Sequence, residues 1–197
     1  ITGDKYTGGI AGEVGTYANY VFGEFNNCRN LGKIQGGSSG YTGGIVGYSY
    51  TPPSKEIRFK DCINKGTITD LSYYTGGVAG YLSGLVSLEN CSNEGKILGG
   101  KNTGGVAGYV SGGSDGGARL ENCYNTGPVQ GSSGDYVGGM LGYTSGTLGT
   151  LKDCYNTGNV TGKSIVGGVA ASLGGGKQGI TTVTQCYNTG KISSDGY

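Results

Sequence analysis

The sequence contains no histidine and no tryptophan, only one methionine and three prolines, and charged residues make up 14% of its 197 residues. Without histidine, the chain cannot form a Ser-His-Asp or Cys-His nucleophile pair, and it cannot carry a His-Glu-x-x-His zinc motif. The net charge of +1 lacks the basic excess that nucleic-acid-binding proteins use, so we expect no nucleic-acid partner. No segment has the roughly 18–20 consecutive apolar residues that a membrane-spanning helix needs.

Glycine is the dominant residue, with 46 copies. The glycines do not fall at every third position, which excludes collagen. The low charge, together with apolar residues that recur in register, disfavours a disordered chain. Each glycine inside a helix costs about 1 kcal/mol relative to alanine, so helical repeats are poor candidates. The composition therefore favours an all-β structure.

The motif Cys-x-Asn-x-Gly-x-Ile/Val occurs six times, at intervals of 34, 29, 32, 31 and 32 residues between successive cysteines. A fixed period in this range is typical of repeat architectures, in which equivalent residues stack into columns. The cysteine column is Cys28, Cys62, Cys91, Cys123, Cys154 and Cys186. The asparagine column is Asn30, Asn64, Asn93, Asn125, Asn156 and Asn188.

Both columns have a structural interpretation and an alternative. Stacked cysteines would lie about 4.8 Å apart, within the Cα range that disulfides use, but their side chains would point the same way. We therefore expect a column of buried thiols, with paired disulfides as the alternative. No Cys-x-x-Cys spacing is present, so we predict no metal site, and no other cofactor. The asparagines are expected to form an amide ladder; the alternative is a row of ligand-binding amides.

Corners of each repeat are marked by two further features. Gly-Gly-apolar-apolar-Gly precedes each cysteine motif, as at 43–47, and favours a tight turn. The residue before each cysteine is Asn, Asp or Gln, and Asn and Asp tolerate the left-handed backbone conformation that a turn requires. Three positions before each cysteine lies an apolar residue, which predicts an inward-facing column. These apolar residues are Phe25, Phe59, Leu88, Leu120, Leu151 and Val183.

Three strand-like runs per repeat and no helical periodicity predict a right-handed parallel β-helix, or β-solenoid, of about six coils of 29–34 residues. We expect a single domain over residues 1–197. Because the chain starts and stops within the pattern, we also expect it to be a fragment of a longer protein. The segment from Ser49 to Glu56, which includes Pro52 and Pro53, is predicted to protrude as a loop. Phe22 and Phe25 are expected to help close the first coil.

A tyrosine follows the Gly-Gly anchor at one position in four repeats: Tyr48, Tyr81, Tyr109 and Tyr143. Strand alternation places these tyrosines on the outer side, together with Val46, Ala79, Ala107 and Leu141. The long arm of each repeat could fold back over this strand and cover it. Alternatively, the tyrosines form an exposed stripe that binds a partner, because tyrosine suits interfaces. Tyr124, Tyr155 and Tyr187 form a second, shorter outer column.

Residues for catalysis are scarce. Glu89 and Glu121 lie two residues before their cysteines, but Lys60 and Lys152 hold the same position in other repeats. This alternation is typical of a solvated face with cross-coil ion pairs, not of a carboxylate pair for glycoside cleavage. We therefore expect no enzymatic activity.

The repeat resembles a known type. Gly-Gly-Ile/Val-x-Gly followed by Asn-Cys-Tyr-Asn-Thr-Gly-x-Val is similar to the GLUG-type repeat of bacterial surface adhesins and of the non-catalytic regions of IgA-cleaving surface metallopeptidases. The best copies are 123–129, 154–160 and 186–192, whereas Arg29, Ile63 and Ser92 depart from the tyrosine position.

The resemblance implies a cell-surface or extracellular location. It also implies a role as an adhesin or structural stalk that contacts a host protein or a glycan. Two alternatives stay open: an accessory domain that holds substrate for a surface metallopeptidase, and a polysaccharide-active β-helix enzyme.

Overall fold

A computed structural model of the chain describes residues 1–15, 23–52, 55–112, 117–133, 136–146, 148–174 and 180–194. These residues contain β-strands and no helix, and each coil contributes five strands. The first coil has β1 (Tyr6–Gly8), β2 (Ala11–Val14), β3 (Gly23–Asn26), β4 (Arg29–Asn30) and β5 (Ile34–Gln35). The second has β6 (Tyr41–Gly43), β7 (Val46–Tyr50), β8 (Glu56–Lys60), β9 (Ile63–Asn64) and β10 (Ile68–Asp70). The third has β11 (Tyr74–Gly76), β12 (Ala79–Ser83), β13 (Leu85–Glu89), β14 (Ser92–Asn93) and β15 (Ile97–Gly99).

The remaining coils repeat this order. The fourth has β16 (Asn102–Gly104), β17 (Ala107–Ser111), β18 (Arg119–Glu121), β19 (Tyr124–Asn125) and β20 (Val129–Gly131). The fifth has β21 (Tyr136–Gly138), β22 (Leu141–Ser145), β23 (Thr150–Lys152), β24 (Tyr155–Asn156) and β25 (Val160–Gly162). The last has β26 (Ile165–Gly167), β27 (Ala170–Leu173), β28 (Thr182–Thr184), β29 (Tyr187–Asn188) and β30 (Ile192–Ser194).

Equivalent strands of successive coils pair in parallel and build five sheets of six strands. We number sheets 1 to 5 by the order of their strands within a coil, so that sheet 1 runs β1-β6-β11-β16-β21-β26 and sheet 2 runs β2-β7-β12-β17-β22-β27. The register keeps repeat positions aligned: Asn93 pairs with Asn64 on one side and with Asn125 on the other. The predicted parallel β-solenoid is therefore confirmed, with about five complete turns and five strands per coil where the sequence indicated three.

The corner before each cysteine has the predicted left-handed backbone. The residue before the cysteine has φ between 52° and 55° in all six coils, and no other described non-glycine residue has a positive φ. These corner residues are Asn27, Asp61, Asn90, Asn122, Asp153 and Gln185. The turn separates sheet 3 from sheet 4, so that the cysteine and the apolar residue three positions earlier both point inward.

The Gly-Gly corner between sheets 1 and 2 is glycine-rich because backbone segments approach closely there. A Cβ on Gly43 would lie 2.1 Å from the carbonyl oxygen of Val46, and a Cβ on Gly44 would lie 2.1 Å from that of Gly77. The Gly44 position also faces the side chain of Asn64, whose Cγ would be 2.5 Å from such a Cβ. Any side chain at these positions would force the backbone or the asparagine column to move.

The asparagine column crosses the interior to meet this corner, and it divides the core in two. The larger apolar cluster lies beside sheets 2 and 3 and includes Phe59, Leu88, Leu120 and the cysteines. The smaller cluster joins sheet 5 to sheet 1 through Ile34, Ile68, Ile97, Val129, Val137 and Val160. Core positions of the last coil, such as Val183 and Ile192, are exposed, because only one neighbouring coil covers them.

One sequence expectation about the second strand is wrong. Val46, Ala79, Ala107 and Leu141 do not lie on the outer side but are fully buried in the larger cluster. The amide nitrogens of Ile45 and Val46 both donate to the carbonyl oxygen of Val78, at 2.9 and 3.0 Å. Two consecutive donors to one carbonyl interrupt the strand alternation, so both residues of each apolar pair turn inward.

The protruding loop is also shorter than expected. Ser49 and Tyr50 belong to β7, and Glu56 begins β8, so only residues 51–55 connect the two strands. Pro53 and Phe22 lie outside the described residues. Phe25, by contrast, packs on Phe59 of the second coil, with ring centroids 4.8 Å apart. It is partly buried at the side of the core.

Candidate functional site

The outward side chains of sheets 1 and 2 form two adjacent columns of tyrosine. The sheet 2 column is the predicted stripe, Tyr48, Tyr81, Tyr109 and Tyr143, and all four are half-buried. The sheet 1 column consists of Tyr6, Tyr41, Tyr74 and Tyr136, which are half-buried as well. We call these eight residues the tyrosine face. Among the described residues, the predicted stripe is thus neither fully buried nor fully exposed, and a second tyrosine column doubles its width.

Ring contacts run continuously along and across the tyrosine face. Within the sheet 2 column, the ring centroids of Tyr48 and Tyr81 are 5.2 Å apart, and those of Tyr81 and Tyr109 are 4.9 Å apart. Across the two columns, Tyr74 lies 4.7 Å from Tyr109, and Tyr136 lies 4.6 Å from Tyr143. Aromatic pairs at such distances contribute about 0.5–1.5 kcal/mol each beyond the area they bury.

The sheet 1 tyrosines were missed from the sequence, although a signal exists. Tyr6, Tyr41, Tyr74 and Tyr136 each stand two residues before a Gly-Gly pair, and only Asn102 and Ile165 replace tyrosine there. The sequence shows that such residues stack on one another along the axis. It does not show that this column borders the predicted stripe, because that depends on the angle of the glycine corner.

Stacking determines which atoms of the tyrosine face are covered by neighbouring rings. Several neighbouring rings of the tyrosine face are stacked, with an angle of 20° between Tyr6 and Tyr48 and of 5° between Tyr81 and Tyr109. Where rings stack, each covers part of its neighbours' faces, so ring edges and hydroxyl groups are left for other contacts. The hydroxyl of Tyr109 donates to Ser145 Oγ at 2.8 Å, which shows that these groups lie among further hydroxyls of sheet 2.

Burial among neighbouring rings raises the pKa of several tyrosine hydroxyls. The pKa of Tyr74 rises to about 12, first because of burial and then because of the nearby Tyr109, Tyr41 and Tyr81. Burial also raises the pKa of Tyr41 and Tyr81. Tyr41, Tyr74 and Tyr81 are therefore uncharged at neutral pH.

These shifts predict a loss of stability at alkaline pH. An unfolded tyrosine ionises near pH 10, whereas folded Tyr74 keeps its proton until about pH 12. The folded state then binds more protons, so this contribution is complete below about pH 10 and is lost as the pH rises to about 12. We expect the urea midpoint to fall over this interval, and less steeply in Tyr74→Phe. An identical fall in Tyr74→Phe would contradict the assignment.

The asparagine column forms the predicted amide ladder. Each Nδ2 group donates to the Oδ1 atom of the next asparagine at 2.6–2.7 Å. Its second hydrogen goes to the carbonyl oxygen of the glycine two residues later, at 2.8–2.9 Å. From Asn64 to Asn156 the side chains are fully buried. Such saturated, inaccessible amides support the structural interpretation of this column and leave no donor for a ligand.

The cysteines are free thiols in all six coils. Cys62, Cys91, Cys123 and Cys154 are buried, whereas Cys28 and Cys186 in the end coils are partly exposed. Cys123 Sγ lies 3.4 Å from the carbonyl oxygens of Leu88 and Glu121. Burial raises the pKa of the Cys123 thiol well above its ordinary value, so this thiol is neutral and unreactive.

Thiol counting tests this arrangement. In denaturant without reductant, we expect all six cysteines to react with a thiol reagent, because none is oxidised. In the folded protein, only Cys28 and Cys186 should react readily, and the four buried thiols should react only after the protein unfolds. Fewer than six reactive thiols after denaturation would instead favour the disulfide alternative.

The outer surface of sheet 3 carries a shallow charged groove. It is lined by Glu24, Arg58, Lys60, Asp61 and Glu89, among others. Lys60 contacts Glu89 of the next coil at 3.7 Å, as the alternating charges predicted, and Arg58 contacts Glu56 of its own strand at 2.8 Å. Glu56 and Glu89 are therefore paired with cations, and solvent screening keeps the contribution of such surface pairs to stability small.

The outer surface of sheet 4 carries the shorter tyrosine column. Tyr124 stacks on Tyr155 at 5.2 Å, and Tyr155 stacks on Tyr187 at 5.1 Å, with 6° between the rings in each pair. This column is limited to the last three coils, because Arg29, Ile63 and Ser92 occupy the same position in the earlier coils.

Comparison with known proteins gives no relative: no protein-family model, curated protein or solved structure matches the chain. The resemblance to GLUG-type repeats stays a prediction. Among the described residues, no group of three or more His, Cys, Asp or Glu side chains is placed to hold a metal ion. None of the ranges given above contains a helix long and apolar enough to cross a membrane.

Proposed function

We propose that this chain is a non-catalytic repeat domain of a cell-surface or secreted bacterial protein, and that its tyrosine face contacts a host protein or glycan. The observation that carries the proposal is the double column of half-buried tyrosines on sheets 1 and 2. Tyrosine combines a large apolar ring with a hydroxyl group, and it is enriched at interfaces for that reason.

The rigidity of this surface supports the proposal. Each tyrosine is held by stacking on rings above, below or beside it, so little side-chain freedom is left to lose on binding. The strands beneath are fixed by continuous parallel pairing. Solenoids present extended surfaces of this kind to their partners. The resemblance of the motif to repeats of surface adhesins supports the same role.

Paired tyrosine variants test this function. Tyr81→Ser with Tyr109→Ser removes two central rings of the tyrosine face. Tyr124→Ser with Tyr155→Ser, which removes two stacked rings from sheet 4, is the matched control. Both proteins would be checked by circular dichroism and then applied to a printed glycan array, to immobilised extracellular-matrix proteins and to host cells.

We expect the wild-type chain and the sheet 4 control to bind a common target that the tyrosine-face variant no longer binds. Equal loss in both variants would show that folding, not the tyrosine face, determines binding. Absence of any wild-type binding in these assays would reject the proposed function.

A further inference from the structure

One residue interrupts the tyrosine face. In sheet 1, Asn102 occupies the position of Tyr74 in the preceding coil and of Tyr136 in the following coil, and it pairs with both in register. The side chain is short, so a gap is left in the outer column. Yet Asn102 is only 6% exposed.

The carbonyl oxygen of this side chain has no partner. Asn102 Oδ1 is buried and accepts no hydrogen bond, and it is the only unpaired amide atom among the buried side chains that the structure describes. The six asparagines of the ladder all have partners. Leaving such an acceptor unpaired is unfavourable, so a ligand donor that reached it would be bound more tightly.

The tyrosine rings in the coils next to Asn102 are tilted against one another. Tyr74 and Tyr109 are tilted by 45°, Tyr109 and Tyr143 by 36°, and Tyr136 and Tyr143 by 53°. These four rings form an arch beside Asn102. Tilted rings cover one another's faces only in part, so some ring surface is left for a ligand. We call this arch with Asn102 the Asn102 notch.

The size of the notch corresponds to one ring. Tyr74 and Tyr136 belong to coils two steps apart, a separation of about 9.6 Å along the axis. A ring placed between two others needs about 7–8 Å between them at van der Waals contact. The spacing of the column therefore matches one flat ring at the position where it lacks its tyrosine.

We propose that the Asn102 notch binds a single neutral pyranose ring of a glycan, an inference that rests on the proposed function of the tyrosine face. The apolar C–H face of the sugar packs on Tyr74 or Tyr136, and a sugar hydroxyl donates to Asn102 Oδ1. A sugar carries hydroxyls around its whole ring, so a donor reaches the buried oxygen in several orientations. A tyrosine of a protein partner has its only side-chain donor at the far tip.

Charge also favours a neutral ligand over a cationic one. A guanidinium or ammonium group would stack on the tyrosine rings and donate to the oxygen. However, Asn102 Oδ1 is buried, and moving a cation out of water to reach it costs more than moving a neutral hydroxyl group. An uncharged hydroxyl is therefore the better donor.

The test compares simple probes on the whole chain. Methyl glycosides of glucose, galactose, mannose and N-acetylglucosamine would be titrated while the tyrosine ring resonances are followed by NMR. N-acetylarginine amide and N-acetyltyrosine amide represent protein side chains. We expect saturable shifts of the Tyr74 and Tyr136 resonances with at least one glycoside, and none with the two amides.

Two variants give the matched controls. Asn102→Tyr fills the notch with the residue that the column carries elsewhere, and we expect it to lose glycoside binding altogether. Asn102→Ala keeps the opening but removes the acceptor, and we expect binding about tenfold weaker, the equivalent of roughly 1.4 kcal/mol. Unchanged binding in either folded variant would overturn the proposal, and so would saturation by an amide with no response to any glycoside.

The same variants separate this inference from the proposed function. If Asn102→Tyr binds arrays and cells like wild type while Tyr81→Ser with Tyr109→Ser does not, the tyrosine face is the contact surface and the notch proposal fails. If no target is bound by the wild-type chain yet a methyl glycoside binds in the notch, the proposed function fails and the sugar site stands.

Discussion

Replacing Asn125 by leucine is expected to lower the free energy of unfolding by about 2–6 kcal/mol, because two buried amide groups lose their partners at about 1–3 kcal/mol each. Asn93 Nδ2 now donates to Asn125 Oδ1 at 2.6 Å, and Asn125 Nδ2 donates to Asn156 Oδ1 at 2.6 Å. Leucine offers neither group. Its branched end would also crowd Gly105, where an added Cβ would lie 2.4 Å from Asn125 Cγ.

Thr126→Leu is the matched control for this change. Thr126 is the next residue in the chain and is exposed, so the same replacement there removes nothing from the interior. Surface substitutions of this kind usually change stability by at most about 0.5 kcal/mol. Urea unfolding followed by circular dichroism compares the two. If the Asn125→Leu midpoint matched that of Thr126→Leu, the amide ladder would not stabilise the coils.

Gly127→Ala is expected to destabilise the protein strongly although it adds only a methyl group. A Cβ on Gly127 would lie 2.0 Å from the carbonyl oxygen of Gly95 in the preceding coil. Neither coil can move away without stretching the parallel strands on both sides, so the cost should be about 1–3 kcal/mol or more. The same contact recurs at Gly66, Gly95, Gly158 and Gly190.

Gly32→Ala is an internal control at the same repeat position. Gly32 is in the first coil. A Cβ there would meet only Asn30 Oδ1 at 3.9 Å, and not the carbonyl oxygen of an equivalent glycine. We expect this variant to be unchanged or to gain about 0.4–1 kcal/mol from the stiffer unfolded chain. Thermal and urea unfolding of both variants would settle the point. Equal destabilisation would show that glycine is needed for backbone conformation rather than for coil packing.

The contrast between these two glycines also explains the composition. Glycine is abundant at fixed repeat positions because neighbouring coils, or neighbouring corners, touch through their backbones there. At the Gly-Gly corner the obstacle is both a carbonyl oxygen and the asparagine ladder, as at Gly105. Because glycine has no side chain, it leaves room at this corner for the asparagine side chain. The two residues therefore recur together in each repeat.

The stacking of equivalent residues along the axis was determined by the sequence alone. A regular interval places equivalent residues above one another, so the cysteine column, the asparagine ladder, the left-handed corner at Asn122 and the stacking of Tyr81 on Tyr109 all followed from position in the repeat. The physical reason is that parallel pairing in register gives each residue its own counterparts in the adjacent coils as its neighbours along the axis.

What lies side by side around a coil was decided only by the tertiary structure. The inward turn of Val46, the meeting of two tyrosine columns and the burial of Asn102 all depend on the angle at the glycine corner. That angle results from backbone atoms of separate strands packing at contact distance, and no local sequence pattern records it. The columns could therefore be read from the repeat, but the width of the tyrosine face and the notch within it could not.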